Sequence, residues 1–196
     1  MATADSPEGV IQDFVYMANT VYGVYLDASM AIGNLSFSYI NYHSDHIAKL
    51  KESGQPLTPD LVNPSLVYNA GPEGQQKPIH KTTLVDIIER NRLDGRHMQF
   101  LARMCVVALY QYWEDQFRPR LKAALGHEVK HDTFGELRNL RRSVIHRGAR
   151  ALPELALCKA LPRFQPDADI VLDHAAMDQI MTAVKQAALE LLVDQS

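Results

Sequence analysis

The sequence predicts an all-α helical bundle, interrupted by one long inserted loop and carrying at most one short β element. Three observations predict it. Apolar residues recur at i, i+3, i+4 spacing over long stretches, helix start and stop signals bracket those stretches, and proline and glycine concentrate between Lys51 and Lys81. With 196 residues the chain reads as one domain (1–196): an N-terminal helical part (1–50), a loop (51–82) and a core (83–196). A chain of this length buries about 70% of its unfolded surface, so it needs neither disulfides nor a structural metal. Apolar residues at 46% and charged residues at 22% exclude wholesale disorder. No apolar run approaches the roughly 20 residues of a membrane span, and no charged-then-apolar leader is read. Cys105 and Cys158 do not make a secreted disulfide framework. The expectation is a soluble cytoplasmic protein with no membrane partner and no cofactor.

Ser6-Pro7-Glu8 is a helix start: an N-cap side chain, proline at the first helical position and an acid facing the macrodipole. Val10, Phe14, Val15, Ala18, Val21, Tyr22, Tyr25 and Leu26 then follow at helical spacing, and the pattern runs to about Leu50 across Gly23 and Gly33. From Lys51 to Lys81 come Gly54, Pro56, Pro59, Pro64, Gly71, Pro72, Gly74 and Pro78, read as a loop with one short helix near Pro59–Val62. Thr83 with Asp86 resembles a capping box for a helix at Leu84–Asn91. Met98 through Trp113 forms the most apolar stretch and is assigned as a central core helix, which Pro119 kinks or restarts and Gly126 caps. Thr133 with Glu136 reads as a second capping box, opening a motif helix at 134–147 that Gly148 closes. Leu137, Leu140, Val144 and Ile145 are assigned to its inward face. A short strand at Asp169–Leu172 and a final helix at about His174–Val193 complete the reading.

The net charge of −3 conceals an uneven distribution. Residues 1–48 carry five carboxylates and no Lys or Arg, and residues 164–196 carry six carboxylates against Lys185. The centre, 49–163, holds 19 basic against 12 acidic residues. Its densest part has Arg138, Arg141, Arg142, Arg147 and Arg150 against Glu136 alone, a pattern suited to planar anions such as phosphate; a solvated helix face is the bland alternative.

Two motifs compete for the chemistry. His127-Glu128-Val129-Lys130-His131 is an H-E-x-x-H, which on a helix sets two imidazoles on one face for zinc with the glutamate as general base. Here it falls between a helix stop at Gly126 and a helix start at Thr133, so it reads as a connector. A zinc-dependent hydrolase is therefore a minor alternative, and no metal ligands are assigned. His43 and His46 beside Asp45 also have ligand spacing, but a polar helix end explains them as well. Tyr16, Tyr22, Tyr25, Tyr39 and Tyr42 could stack bases, although helical spacing favours packing. Cys105 reads as an inert core thiol, and Cys158 belongs to no motif.

The second motif spans Leu137 to Gly148, Leu-Arg-Asn-Leu-Arg-Arg-Ser-Val-Ile-His-Arg-Gly, with Arg141 and His146 five residues apart. It resembles the HEPN (higher eukaryotes and prokaryotes nucleotide-binding) family, whose signature is an arginine, four to six residues and a histidine. Arg138, Arg141, His146 and Gly148 fit the fuller pattern. Arg142 departs from it, standing where the family usually has Asn, Asp or His. The apolar helix ending Tyr110-Gln-Tyr-Trp-Glu-Asp115 and the segment Leu161-Pro-Arg-Phe before Asp169-Ile-Val-Leu172 are also similar, so the resemblance covers 83–193.

The resemblance implies a HEPN-like helical bundle and a metal-independent endoribonuclease, acting as a toxin or phage-defence component in a homodimer with a composite site, with an antitoxin or regulatory protein as a further partner. It equally accommodates a non-catalytic RNA-binding or scaffold protein. In the catalytic case the ribose 2′-hydroxyl attacks its own phosphate, so the protein need supply no nucleophile. His146 is assigned as general acid/base and Arg141 as phosphate and transition-state stabiliser, with Arg138, Arg142 and Arg147 binding RNA phosphates. An ideal helix turns about 100° per residue, which sets Arg141 and His146 about 140° apart while Arg138, Arg142 and His146 share a face. The pair is therefore expected to meet only if the last turn unwinds or a second copy supplies one partner.

Overall fold

The computed structural model describes residues 6–193. Their elements are α1 (Pro7–Glu52), α2 (Pro59–Val62), β1 (Ser65–Ala70), β2 (Lys77–Thr83), α3 (Leu84–Arg90), α4 (Arg96–Tyr112), a π-helical turn at Trp113–Phe117, α5 (Arg118–Leu125), α6 (Asp132–His146), a 3-10 turn at Pro153–Leu157 and α7 (His174–Val193). The protein is mostly helical, with one small sheet. Packing divides the chain into two compact units: one holds the described parts of Met1–Asp27 and Gln99–Ser196, the other is Ala28–Met98. No helix among the described residues is long and apolar enough to cross a membrane.

The first unit is built on aromatic packing. α1 starts as its sequence dictates, with Ser6 Oγ accepting the Gly9 amide at 3.1 Å. Val10, Ile11, Phe14 and Ala18 then bury one face of the helix. Phe14 sits edge-on to Trp113, Phe117 and Phe134, with centroids at 5.2, 5.3 and 5.8 Å. Trp113 and Phe134 lie flat on each other at 3.6 Å. Pro119 has no N–H to return an i→i−4 bond, and α4 passes into α5 through the π-helical turn, where the Arg118 amide reaches back to the Trp113 carbonyl. Gly126 ends α5 at φ 77°, and α7 contributes Met177, Ile180, Met181, Val184 and Leu191 to the core.

Residues 147–173 pack against this core with little regular structure. The strand expected at Asp169–Leu172 is only an isolated bridge, Arg150 to Asp169. Side chains of α4 take the place of a partner strand. Arg103 donates two hydrogen bonds to the Ile170 carbonyl, at 3.2 and 2.6 Å. Gln99 both accepts from the Leu172 amide and donates to its carbonyl, at 2.9 and 3.3 Å.

In the second unit, the expected 51–82 loop requires correction. α2 falls at the expected Pro59–Val62, but β1 and β2 form an antiparallel hairpin pairing Ser65 with Thr83 through Ala70 with Lys77, so the chain has two strands rather than at most one. The prolines and glycines that read as loop fall where a hairpin tolerates them. Gly71 (φ 126°) and Gly74 (φ 78°) lie in the turn, and Pro78 sits opposite the register shift at Tyr68/Asn69. Thr83 caps α3 by accepting from the Asp86 amide at 3.2 Å, as its spacing predicts. The Asp86 carboxylate bonds Thr82, Arg96 and Arg90 instead of closing the box, and these bonds, Thr82 first, hold its carboxyl below the usual range. His43 and His46 each donate from Nε2 to a backbone carbonyl of α2, Val62 and Leu61, at 2.9 and 2.6 Å, which accounts for their spacing without a metal.

Candidate active site

α6 carries the motif, and its two ends are held by different devices. It begins at Asp132, earlier than the expected 134, because His131 and not Thr133 is the N-cap. His131 Nδ1 accepts from the Thr133 amide at 3.2 Å, which leaves Nε2 to donate to Glu190 on α7 at 3.0 Å. The capping box read at Thr133 and Glu136 does not form. Thr133 is buried, and the Glu136 carboxylate instead accepts from three successive amides, Lys159 at 2.6 Å, Ala160 at 3.1 Å and Leu161 at 3.0 Å. Glu136 thus ties α6 to the segment after the 3-10 turn, a role with no local sequence signal.

The H-E-x-x-H residues follow the helix stop at Gly126 and are not helical before the cap, so His127 and His131 do not share a helix face. Glu128 pairs with Lys122, whose hydrogen bond holds its carboxyl below the usual range, and His127 Nδ1 lies 3.1 Å from the Glu128 carbonyl. Among the described residues no three His, Cys, Asp or Glu side chains cluster as metal ligands.

Phe134, Leu137, Leu140, Ser143 and Val144 form the buried face of α6. Ile145, expected inward, is 44% exposed. The opposite face presents Arg138, Arg142 and His146 to solvent, with Arg141 half-buried. Arg141 Nη1 lies 3.2 Å from His146 Nε2. The two therefore meet within one chain while α6 stays helical through His146, because the long arginine side chain covers the angular offset that was expected to need unwinding. A guanidinium has no acceptor, so in this contact Arg141 donates and His146 Nε2 is the unprotonated nitrogen. Arg141 Nε is buried without a hydrogen-bond partner.

Ser143 sets the helix end, although sequence reasoning did not single it out. It is fully buried, its Oγ accepts from the Leu152 amide at 3.0 Å and donates to the Asn139 carbonyl, and its own carbonyl accepts from the Arg147 and Ala149 amides. Gly148 and Ala149 then take left-handed conformations, φ 59° and 66°, which turn the chain away from His146. Arg147, also assigned to RNA phosphates, has a carboxylate partner on the surface. It pairs with Asp167 at 2.5 Å, and Arg150 donates to the Asp167 carbonyl at 3.0 Å. Arg138 and Arg142 have no ion pair or hydrogen bond to a described residue.

A cavity of about 270 Å³ opens beside the N-terminal half of α6, over the stacked Trp113 and Phe134, and Arg118, Lys130 and Arg138 line it. Its one carboxylate, Glu114, is already bonded by Arg118 at 2.7 Å and by the Tyr110 hydroxyl at 3.3 Å. Burial, followed by the Glu114 charge, pushes the Tyr110 phenol up. Compared with known protein families, curated proteins and solved structures, the chain matches none.

Proposed function

We propose that this protein is a metal-independent endoribonuclease of HEPN type, in which Arg141 and His146 act on the phosphodiester and Arg138 and Arg142 hold the RNA backbone. The 3.2 Å contact between Arg141 and His146 on an arginine-rich, solvent-facing helix end carries the reading. An incoming phosphate competes for Arg141, since a charge-assisted bidentate pair is stronger than a bond to neutral imidazole. When Arg141 turns to the phosphate, the Nε2 lone pair is released beside the ribose. His146 then takes the 2′-hydroxyl proton, the 2′-oxygen attacks phosphorus, and the P–O bond to the next nucleotide breaks, its 5′-oxygen leaving with a proton from water while the His146 imidazolium returns its own proton to solvent. Arg141 offsets the charge that builds on the non-bridging oxygens. The products of this step are a 2′,3′-cyclic phosphate and a free 5′-hydroxyl.

A second copy facing α6 would place two such pairs across one cleft, the homodimer that the resemblance implies. Within a toxin or phage-defence system, an antitoxin or regulatory protein would act by covering this helix end. Cleavage of single-stranded RNA in excess EDTA tests the proposal. Activity is expected in the wild type and is expected to fall by about 10²- to 10⁴-fold in His146→Ala and by about 10²- to 10³-fold in Arg141→Ala. Absence of any cleavage by the folded wild type, or cleavage unchanged in both variants, overturns it in favour of a non-catalytic RNA-binding or scaffold role.

A further inference from the structure

Resting on that reading, we infer that the cavity between Lys130, Arg118 and Arg138 is a second phosphate subsite, which holds a phosphodiester of the same RNA strand at a distance from the bond being cut. Its charge is unbalanced. Among the described residues Glu114 is the only carboxylate in its wall and is taken by Arg118 and Tyr110, which leaves Lys130 and Arg138 without counter-charge from the cavity itself. Neither side chain has an ion pair or hydrogen bond to another described residue. Lys130 only adds to the charge that holds the Glu128 carboxyl down. Two cations free of ion pairs and hydrogen bonds among the described residues thus line a concave, aromatic-floored space that suits an anion, and the floor of Trp113 and Phe134 excludes water from one side.

The cavity is also in line with the catalytic pair. Arg138, Arg142 and His146 lie four residues apart on one face of α6, so the cavity end and His146 are separated by about 12 Å along the helix. Arg142, exposed and unpaired, stands between them. One strand laid along this row meets cations at intervals and brings a single phosphate to Arg141. The row also explains an arginine at position 142: its charge bridges the two ends of the track. Lys130, which the sequence places only in the connector that holds the H-E-x-x-H residues, acquires a role here.

The test uses the full chain. Binding of a fluorescein-labelled single-stranded RNA is followed by anisotropy in EDTA over a salt series, for wild type, Lys130→Ala and Gly135→Asp. Gly135 lines the cavity, a Cβ there meets nothing within 4 Å, and an acid in the first turns of a helix does not oppose its dipole. The slope of log affinity against log salt is expected to become shallower by about 0.7 in Lys130→Ala. KM for a long RNA is expected to rise about fivefold with kcat retained. In Gly135→Asp the loss is larger. Cleavage of a dinucleoside monophosphate, whose only phosphate is the scissile one, is expected to be unchanged in both variants. Slopes and KM unchanged in both variants overturn the subsite while leaving the cleavage reading intact. If the wild type binds RNA with a Lys130-dependent slope but never cleaves it, the cleavage reading fails and the subsite stands. If inorganic phosphate binds in a Lys130-dependent way while the RNA slope does not change, the cavity takes a free phosphate and the strand-tracking proposal is overturned.

Discussion

Glu136 gathers the amide protons of Lys159, Ala160 and Leu161 on one carboxylate. Replacing it by alanine strands up to three backbone donors, so Glu136→Ala is expected to cost about 2–3 kcal/mol and to lower Tm by about 5–10 °C. Glu136→Gln keeps one acceptor oxygen and is expected to lose less; thermal unfolding by circular dichroism ranks the two. A neighbouring thiol makes stability depend on pH. Burial, with Glu136 as the next cause, pushes Cys158 from an ordinary 9.0 up to about 11, and burial pushes Tyr25 from 10.0 up to about 12. Below about pH 9 both groups are protonated in folded and unfolded chains alike, and stability is complete. Between about 9 and 11 the unfolded chain has released protons that the folded chain retains, so stability falls as pH rises. Urea midpoints from pH 8 to 11 are expected to decline, and Cys158→Ala is expected to flatten the part that starts near 9. Arg141 and His146 were singled out by residue type within one motif, but their 3.2 Å contact was not legible. Ideal spacing sets them about 140° apart, and only the reach of the arginine side chain closes the gap. The roles of Glu136 and Ser143 were not legible either, because their partners lie in a separate segment of chain whose position only the fold supplies.

Helix ends were legible wherever a local rule governs them, as at Ser6, Thr83 and Gly126, each of which behaves as its identity dictates. Local rules failed where a distant group claimed the side chain. Glu136 was taken by the 159–161 amides, and α6 fell back on His131 as its cap. The hairpin was missed for a different reason: glycine and proline density marks a break in helix, yet it does not separate a loop from two strands joined by a turn. Two glycines show how much space an element leaves around its bends. A Cβ at Gly95 would lie 2.6 Å from the Glu89 carbonyl oxygen and 2.7 Å from that of Arg90, whereas Gly148 faces open space and only its φ of 59° opposes a side chain. Gly148→Ala is therefore expected to cost about 1 kcal/mol. Gly95→Ala must displace backbone and is expected to cost about 2–3 kcal/mol. Equilibrium urea unfolding of the two variants should separate them, and equal losses would mean that the α3–α4 bend yields freely.

For the molecule as a whole, the proposed homodimer makes a prediction of mass. Sedimentation at micromolar concentration is expected to give twice the 22.0 kDa of the chain. A monomer would remove the two-pair cleft but not the pair itself, since Arg141 and His146 already meet in one chain. Apolar periodicity and helix start and stop signals indicated a largely helical protein, yet they could not reveal that packing gathers residues 28–98 into a unit of their own, because α1 and α4 each run across its boundaries without a break in helical pattern. The site-bearing unit is consequently discontinuous in sequence, and this discontinuity bears on synthesis. Phe14 leaves the ribosome about 100 residues ahead of its ring partner Trp113, a delay of about 5–20 s at ordinary elongation rates. During that interval Val10, Ile11, Phe14 and Ala18 have no core to enter, so the apolar face of α1 stays wet until α4 and its π-helical turn have been made.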